Sequence, residues 1–174
     1  MKKIEKLFLA LFMTLTMTAA VFLPAADVSA ARPTVSADSK YFDISSGCYV
    51  LTGNVRVEIG ERIITADKAA VNLMTMEVLG EGHINLVSSE DDITFSGDSV
   101  SVVGREKTAF VTGNAVFRQG ETIITSDSAS YSWQSKEADF RHNVKLSLNG
   151  NQSVHETLTY HVINRAVISA DPAL

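Results

Sequence analysis

The sequence predicts an all-β chain, an antiparallel meander of about ten strands, each bent at its middle, that together form a V-shaped trough. Three observations predict it. First, the stretch 51–71, LTGNVRVEIGERIITADKAAV, returns at 111–131 as VTGNAVFRQGETIITSDSASY, and ten of the twenty positions from 52 to 71 are identical to those from 112 to 131. Self-similarity at a fixed spacing marks stacked structural units. Second, apolar and polar residues alternate with the period of a strand: Val55, Val57 and Ile59 around Arg56 and Glu58, and Val144, Leu146 and Leu148 around Lys145 and Ser147. Third, turn-forming clusters rich in Gly, Asn and Ser recur between these runs, and such residues tolerate positive φ.

Taken in order, the chain opens on a basic segment (Lys2, Lys3, Lys6), an uncharged apolar run over 7–23 and the small residues Val28-Ser29-Ala30. This is the pattern of a secretory signal peptide over 1–30, with an exported domain over 31–174. The rival is a retained membrane anchor, but the apolar run is at the short limit for a bilayer and a cleavage-like site follows it. No Cys stands at that site, which argues against a lipoprotein. The chain carries 15 basic and 20 acidic residues, a net charge of −5. Nothing basic is clustered, which argues against nucleic acid. Cys48 is the only cysteine, so no intrachain disulfide can form. It is expected as a small buried apolar residue.

Two kinds of mark recur through the rest. Asp-like marks stand at Asp38, Asp67, Asp98, Asp127 and Glu156, and Gly-like marks at Gly53, Gly82, Gly113, His142 and Asp171. Each Asp-like mark precedes the next Gly-like mark by 15 residues, and the return step is 14 except once. The exception is 16, in Val87–Asp92, where two residues are inserted. Turns are expected midway between marks: Ser45–Gly47, Gly60-Glu61, Met74-Thr75, Ser88–Asp92, Gly104–Lys107, Gly120-Glu121, Gln134–Lys136, Asn149–Asn151 and Asn164-Arg165. The segments between turns are about eleven residues long, well above the usual ~5–6. The marks account for that length, because each falls at mid-segment. Gly allows a bend or bulge there, and Asp can hydrogen-bond backbone freed at the kink. Gly53, Asp67, Gly82, Asp98, Gly113 and Asp127 are therefore expected as structural bend residues along one ridge.

On either side of that ridge the apolar residues define two walls. One carries Val55, Val57, Ile84, Leu86, Phe117, Val144 and Leu146, and the other Val71, Leu73, Val78, Val100, Val102, Val111, Tyr131, Phe140 and Tyr160. Parity does not decide which of Ile63 and Ile64 faces inward, nor which of Ile123 and Ile124. From the residues alone the stripe is either a sealed β-sandwich core or an apolar groove for a lipid.

The segments ADSKYFD, TGNVRVEIGERIITADKAAV and TGNAVFRQGETIITSDSASY resemble the LptA/OstA family of lipopolysaccharide-transport proteins, and the likeness runs over the whole exported domain. The resemblance implies an open, twisted β-jellyroll in the periplasm. It implies a bridge that shields lipid A acyl chains while lipopolysaccharide passes from the inner to the outer membrane. It further implies LptC-like and LptD-like jellyroll partners and head-to-tail self-association. The expected lining is Val55, Val57, Ile84, Leu86, Phe117, Val144, Leu146, Val71, Val102 and Tyr131. Departures from the pattern are His142, Glu156 and Asp171 at the marks. Edge strands at 35–44 and 166–170 suit docking by strand addition.

Other chemistries are less well supported. His83, His142, His155 and His161 lack metal-ligand spacing and read as surface residues. Successive Asp marks are two strands apart, about 9–10 Å at ~4.8 Å per strand, too far to share an ion. No Gly-x-Ser-x-Gly elbow occurs. The expectation is a non-enzyme without cofactor or metal. Its rivals are a structural or polysaccharide-binding β-solenoid of the cell envelope and an enzyme on a parallel β-helix using the Asp ladder. The alternating 15 and 14 spacing suits an antiparallel meander better than parallel coils.

Overall fold

Among the described residues, nine turns close nine hairpins. A computed structural model describes residues 33–173, and the expected leader over 1–30 lies outside the described residues. The strands are β1 (Thr34–Ser36), β2 (Ser39–Asp43), β3 (Cys48–Ile59), β4 (Arg62–Asn72), β5 (Glu77–Ser88), β6 (Ile93–Val103), β7 (Thr108–Gln119), β8 (Thr122–Ser132), β9 (Glu137–Leu148), β10 (Asn151–His161) and β11 (Ala166–Pro172). Each expected turn falls at a connection between two consecutive strands of this series, save that Ser88 and Asn151 belong to β5 and β10. All strands belong to one antiparallel sheet in chain order. β1 and β2 both pair with β3, against Arg56–Glu58 and Cys48–Thr52, so they are two halves of one strand bent at Ala37-Asp38. Ten bent strands thus appear as eleven segments.

The bend has a simple cause. Strands β3, β5, β7 and β9 have 12 residues, and β4, β6, β8 and β10 have 11. The extra residue is a bulge. In β3 the register steps from Thr52 to Val55 while β4 steps from Lys68 to Ala66. The two residues in the bulge both take positive φ: Gly53 (76°) and Asn54 (47°), Gly82 (75°) and His83 (45°), Gly113 (74°) and Asn114 (50°). In β9 the same pair is His142 (62°) and Asn143 (53°), without any glycine. A bulge repeated at one height in every second strand creases the whole sheet.

The crease divides the molecule into two walls. The first ends at turns 60–61, 89–92, 120–121 and 149–150, and the second at turns 44–47, 73–76, 104–107, 133–136 and 162–165. Alternation decides which faces point inward, and the crease shifts the phase in the Asp strands. In β4, Ile64 and Ala66 are buried, Asp67 and Lys68 are exposed, and Ala69 and Val71 are buried again. Ile64 and Ile124 therefore face inward, and Ile63 and Ile123 do not.

Candidate functional site

The space between the walls is the candidate site. All ten expected lining residues point into it. Val55, Val57, Val71, Ile84, Leu86, Val102, Phe117, Tyr131 and Val144 are 3% exposed or less, and Leu146 is 8% exposed. The expected walls omit Leu51, Ile93, Phe95, Leu158 and Val162, which are as deeply buried.

Aromatic rings bring the two walls into contact. Phe95 and Phe117, a cross-strand pair on the first wall, lie with centroids 5.0 Å apart. Phe117 meets Phe140 at 5.6 Å and Tyr160 at 5.4 Å on the second wall, and Phe95 meets Tyr131 at 5.9 Å. These are ordinary packing distances for aromatic pairs. The interior is accordingly filled by the chain's own side chains. An apolar cleft of about 10 Å³ remains beside Ile59, Ile64, Leu86, Val102, Tyr131 and Trp133. That is room for about one water molecule. A lipid chain would enter only as the walls part.

The free rims carry the polar groups. Lys136 Nζ, in the second-wall turn, lies 2.7 Å from Asp91 Oδ1 and 3.1 Å from Glu90 Oε1, both in the first-wall turn. The Tyr131 hydroxyl and Ser88 Oγ donate to Asp91 Oδ2. Gln119 Nε2 donates to the Asp91 carbonyl at 2.9 Å, and the Tyr160 hydroxyl donates to Gln119 Oε1 at 3.1 Å. Arg62 pairs with Glu90 at 3.0 Å and lies 4.8 Å over the Trp133 ring. Arg165 pairs with Asp92 at 3.2 Å. Burial pushes the Asp91 carboxyl up, but donation from Lys136, Tyr131 and Ser88 and the Lys136 charge hold it below the usual carboxylate value. Burial and the adjacent Asp91 carboxylate push the Tyr131 phenol well above its ordinary value.

The crease is polar and open. Three carboxylates there accept a hydrogen bond from a side chain 16 residues on: Asp38 from Asn54 at 2.8 Å, Asp98 from Asn114 at 2.9 Å, and Asp127 from Asn143 at 2.8 Å. Asp67 meets His83 Nδ1 at 2.7 Å. That bond, with the Asp67 charge, raises the His83 pKa above its ordinary value. Where the sequence predicts that these carboxylates serve freed backbone, their side-chain partners are the Asn and His of the bulge. His142 pairs with Glu156 at 2.6 Å and Thr157 with Asp171 at 2.9 Å, so the substituted marks are bonded too. Among the described residues, no three His, Cys, Asp or Glu side chains are grouped as metal ligands. Cys48 departs from expectation. It is half-buried, its thiol 3.5 Å from the Ser46 carbonyl, because it begins β3 beside an exposed turn.

Comparison with known proteins agrees with this architecture. No curated protein matches the chain. Residues 34–95 match the family model described as LptA/(LptD N-terminal domain) LPS transport protein. Among solved structures the chain is similar to LptH, the LptA homologous periplasmic component of the conserved lipopolysaccharide transport device from Pseudomonas aeruginosa. The TM-score is 0.59 at 16% identity, over 67% of this chain and 94% of that one. At that identity the likeness speaks for the fold.

Proposed function

We propose, on the premise that this chain is an LptA/OstA-like protein with the open antiparallel jellyroll fold, that it is a periplasmic bridge for lipopolysaccharide. In this reading it carries lipid A acyl chains between its two walls, from the inner toward the outer membrane, without catalysing a reaction. One observation carries the reading. The two walls of a single creased sheet present continuous apolar inner faces to one another. Acyl chains need apolar area and no directional bonds, and such faces supply that once parted.

The sheet's ends support the partners. β1 and β2 at one end and β11 at the other each pair with one neighbour among the described residues. Tyr41, Phe42 and Ile44 stand exposed at the first end and Ile168 at the second. Unpaired edges with apolar side chains suit strand addition by LptC-like and LptD-like jellyrolls, or by a second copy head to tail. Export by cleavage of residues 1–30 belongs to the same proposal.

The filled interior favours a second reading, a structural β-domain of the envelope without a lipid site. Photo-crosslinking in the native envelope separates the two. A benzophenone side chain in place of Phe117 or Leu146 should capture lipopolysaccharide, and the same group at the outward-facing Phe110 should not. Absence of a lipid adduct at every lining position would sink the bridge and leave the structural reading.

A further inference from the structure

One first-wall turn breaks the pattern of the others. Turns 60–61, 120–121 and 149–150 have two residues, whereas β5 and β6 are joined by four, Ser89–Asp92. This is the site of the two-residue insertion. The longer turn takes the form found on the opposite wall. Its last residue, Asp92, has positive φ, as do Met76, Lys107, Lys136 and Arg165 at the ends of second-wall turns. The added length brings three acids across the mouth of the trough: Glu90 and Asp91 to Lys136, and Asp92 to Arg165.

Asp91 is the centre of this arrangement. Its side chain is 1% exposed. A carboxylate so buried keeps its charge only while donors compensate for lost water. Three side chains do so, and two of them, Lys136 and Tyr131, belong to the opposite wall. Parting the walls removes both at once. Apolar contacts between the walls behave differently, because an acyl chain replaces them in kind. The polar contacts across the mouth, Asp91 to Lys136 and Tyr131 and Gln119 to Tyr160, are the ones that a lipid does not replace.

We propose that the β5–β6 turn is a latch across the mouth of the trough, and that the walls part only when Lys136 and Tyr131 release Asp91. Its consequence for lipid entry rests on the bridge reading above.

Spin labels read the mouth directly. They are placed at Glu121→Cys and Asn164→Cys, exposed positions on opposite rims where Gly120 lies beside Arg165, in a Cys48→Ser background. With the latch intact, one short and narrow distance is expected. The Asp91→Asn/Lys136→Met double variant should shift that distribution outward and broaden it. Tyr131→Phe, which removes one cross-mouth donor and keeps the ring, gives the same readout in smaller measure if the double variant does not fold. An unchanged distribution in a cooperatively folded variant overturns the latch. Lipid entry is tested with a short cleavable bis-thiol linker between the same two cysteines. Capture of lipopolysaccharide by a photo-crosslinker at Leu146 should fall at least tenfold on linking and return on cleavage, and undiminished capture overturns gating at the mouth. Failure of lipopolysaccharide to enter in either state refutes the bridge, while the distance measurement still decides the latch.

Discussion

At the scale of single residues, the crease shows how little chemistry the repeated motif needs. Gly82 has φ of +75° and packs against the Asp67 carboxylate, where a Cβ would collide. The collision is avoidable, because His142 carries a Cβ at the same point of its own bulge and the Asp127–Asn143 bond survives. The backbone term is harder to escape, since left-handed φ costs an L-residue roughly 1–2 kcal/mol. Gly82→Ala should therefore lower stability by about that amount in urea titration. His142→Gly should stay within ~1 kcal/mol of neutral, because relief of φ is offset by the looser unfolded chain and a lost surface pair. Equal losses in the two variants would contradict this account. Asp91 and Lys136 set a pH window. The Asp91 pKa is depressed, so its contribution is full above the ordinary carboxylate value of ~4 and disappears as pH falls through the folded value. Desolvation lowers the Lys136 pKa, but the hydrogen bonds to Asp91 and Glu90 and their charges outweigh it and leave the pKa raised. That contribution is full below ~10.4 and disappears as pH rises through the folded value. Urea unfolding from pH 7 to pH 3 should lose stability more steeply in the unaltered protein than in Asp91→Asn, and parallel curves would show that Asp91 does not drive the loss.

At the scale of strands, most of the fold was legible because its signals are local. A turn needs residues that accept positive φ, and Gly47, Gly60, Gly120 and Asn149-Gly150 supply them in place. The spacing of 15 and 14 also has local causes: the second-wall turns have four residues and the first-wall turns, Ser89–Asp92 aside, two, and the bulge residue after each Gly-like mark adds one to the shorter step. What local pattern does not carry is the change of phase at the crease. Exposed Asp67-Lys68 shifts the inward positions of β4 by one, so parity on one side says nothing of the other. Ile63 and Ile64 were undecided for this reason. The clasp at the mouth was also hidden, because Asp91 and Lys136 are 45 residues apart. The insertion at Val87–Asp92 was its only trace in the sequence. Parity makes a test. Deleting Asn114 removes the bulge from β7 and turns Phe117 outward and Arg118 inward, since one residue reverses every face beyond it. That chain should lose cooperative unfolding and its near-UV circular dichroism. Shortening Ser89–Asp92 by two residues keeps parity and should keep both signals. Cooperative unfolding in the Asn114 deletion would refute the bulge as the source of register.

At the scale of the whole molecule, the sheet is an array in which each strand pairs only with its neighbours in sequence, β1 and β2 counting as one. Such arrays tend to fray from their ends, each unit leaning on the next. β1, β2 and β11 should therefore exchange their amide hydrogens through small openings, and β4–β9 through the largest ones. Two features tie distant parts of the array together. The Phe117–Phe140 and Phe117–Tyr160 contacts join the walls through the core, and Lys136–Asp91 joins them at the rim. Breaking one partner of a buried pair costs about 3–5 kcal/mol, and Lys136, partly open to water, belongs at the low end. The location of that loss tells whether the walls act as one body. In a purely linear array Lys136→Met weakens its own hairpin, β8–β9, and leaves β5–β6 protected. With the walls coupled across the mouth, amides of β5–β6 lose as much opening free energy as those of β8–β9, although no residue of β5 or β6 has changed. Native-state hydrogen exchange of Lys136→Met at low denaturant distinguishes the two patterns, and protection unaltered in β5–β6 would reduce the rim contacts to local surface pairs.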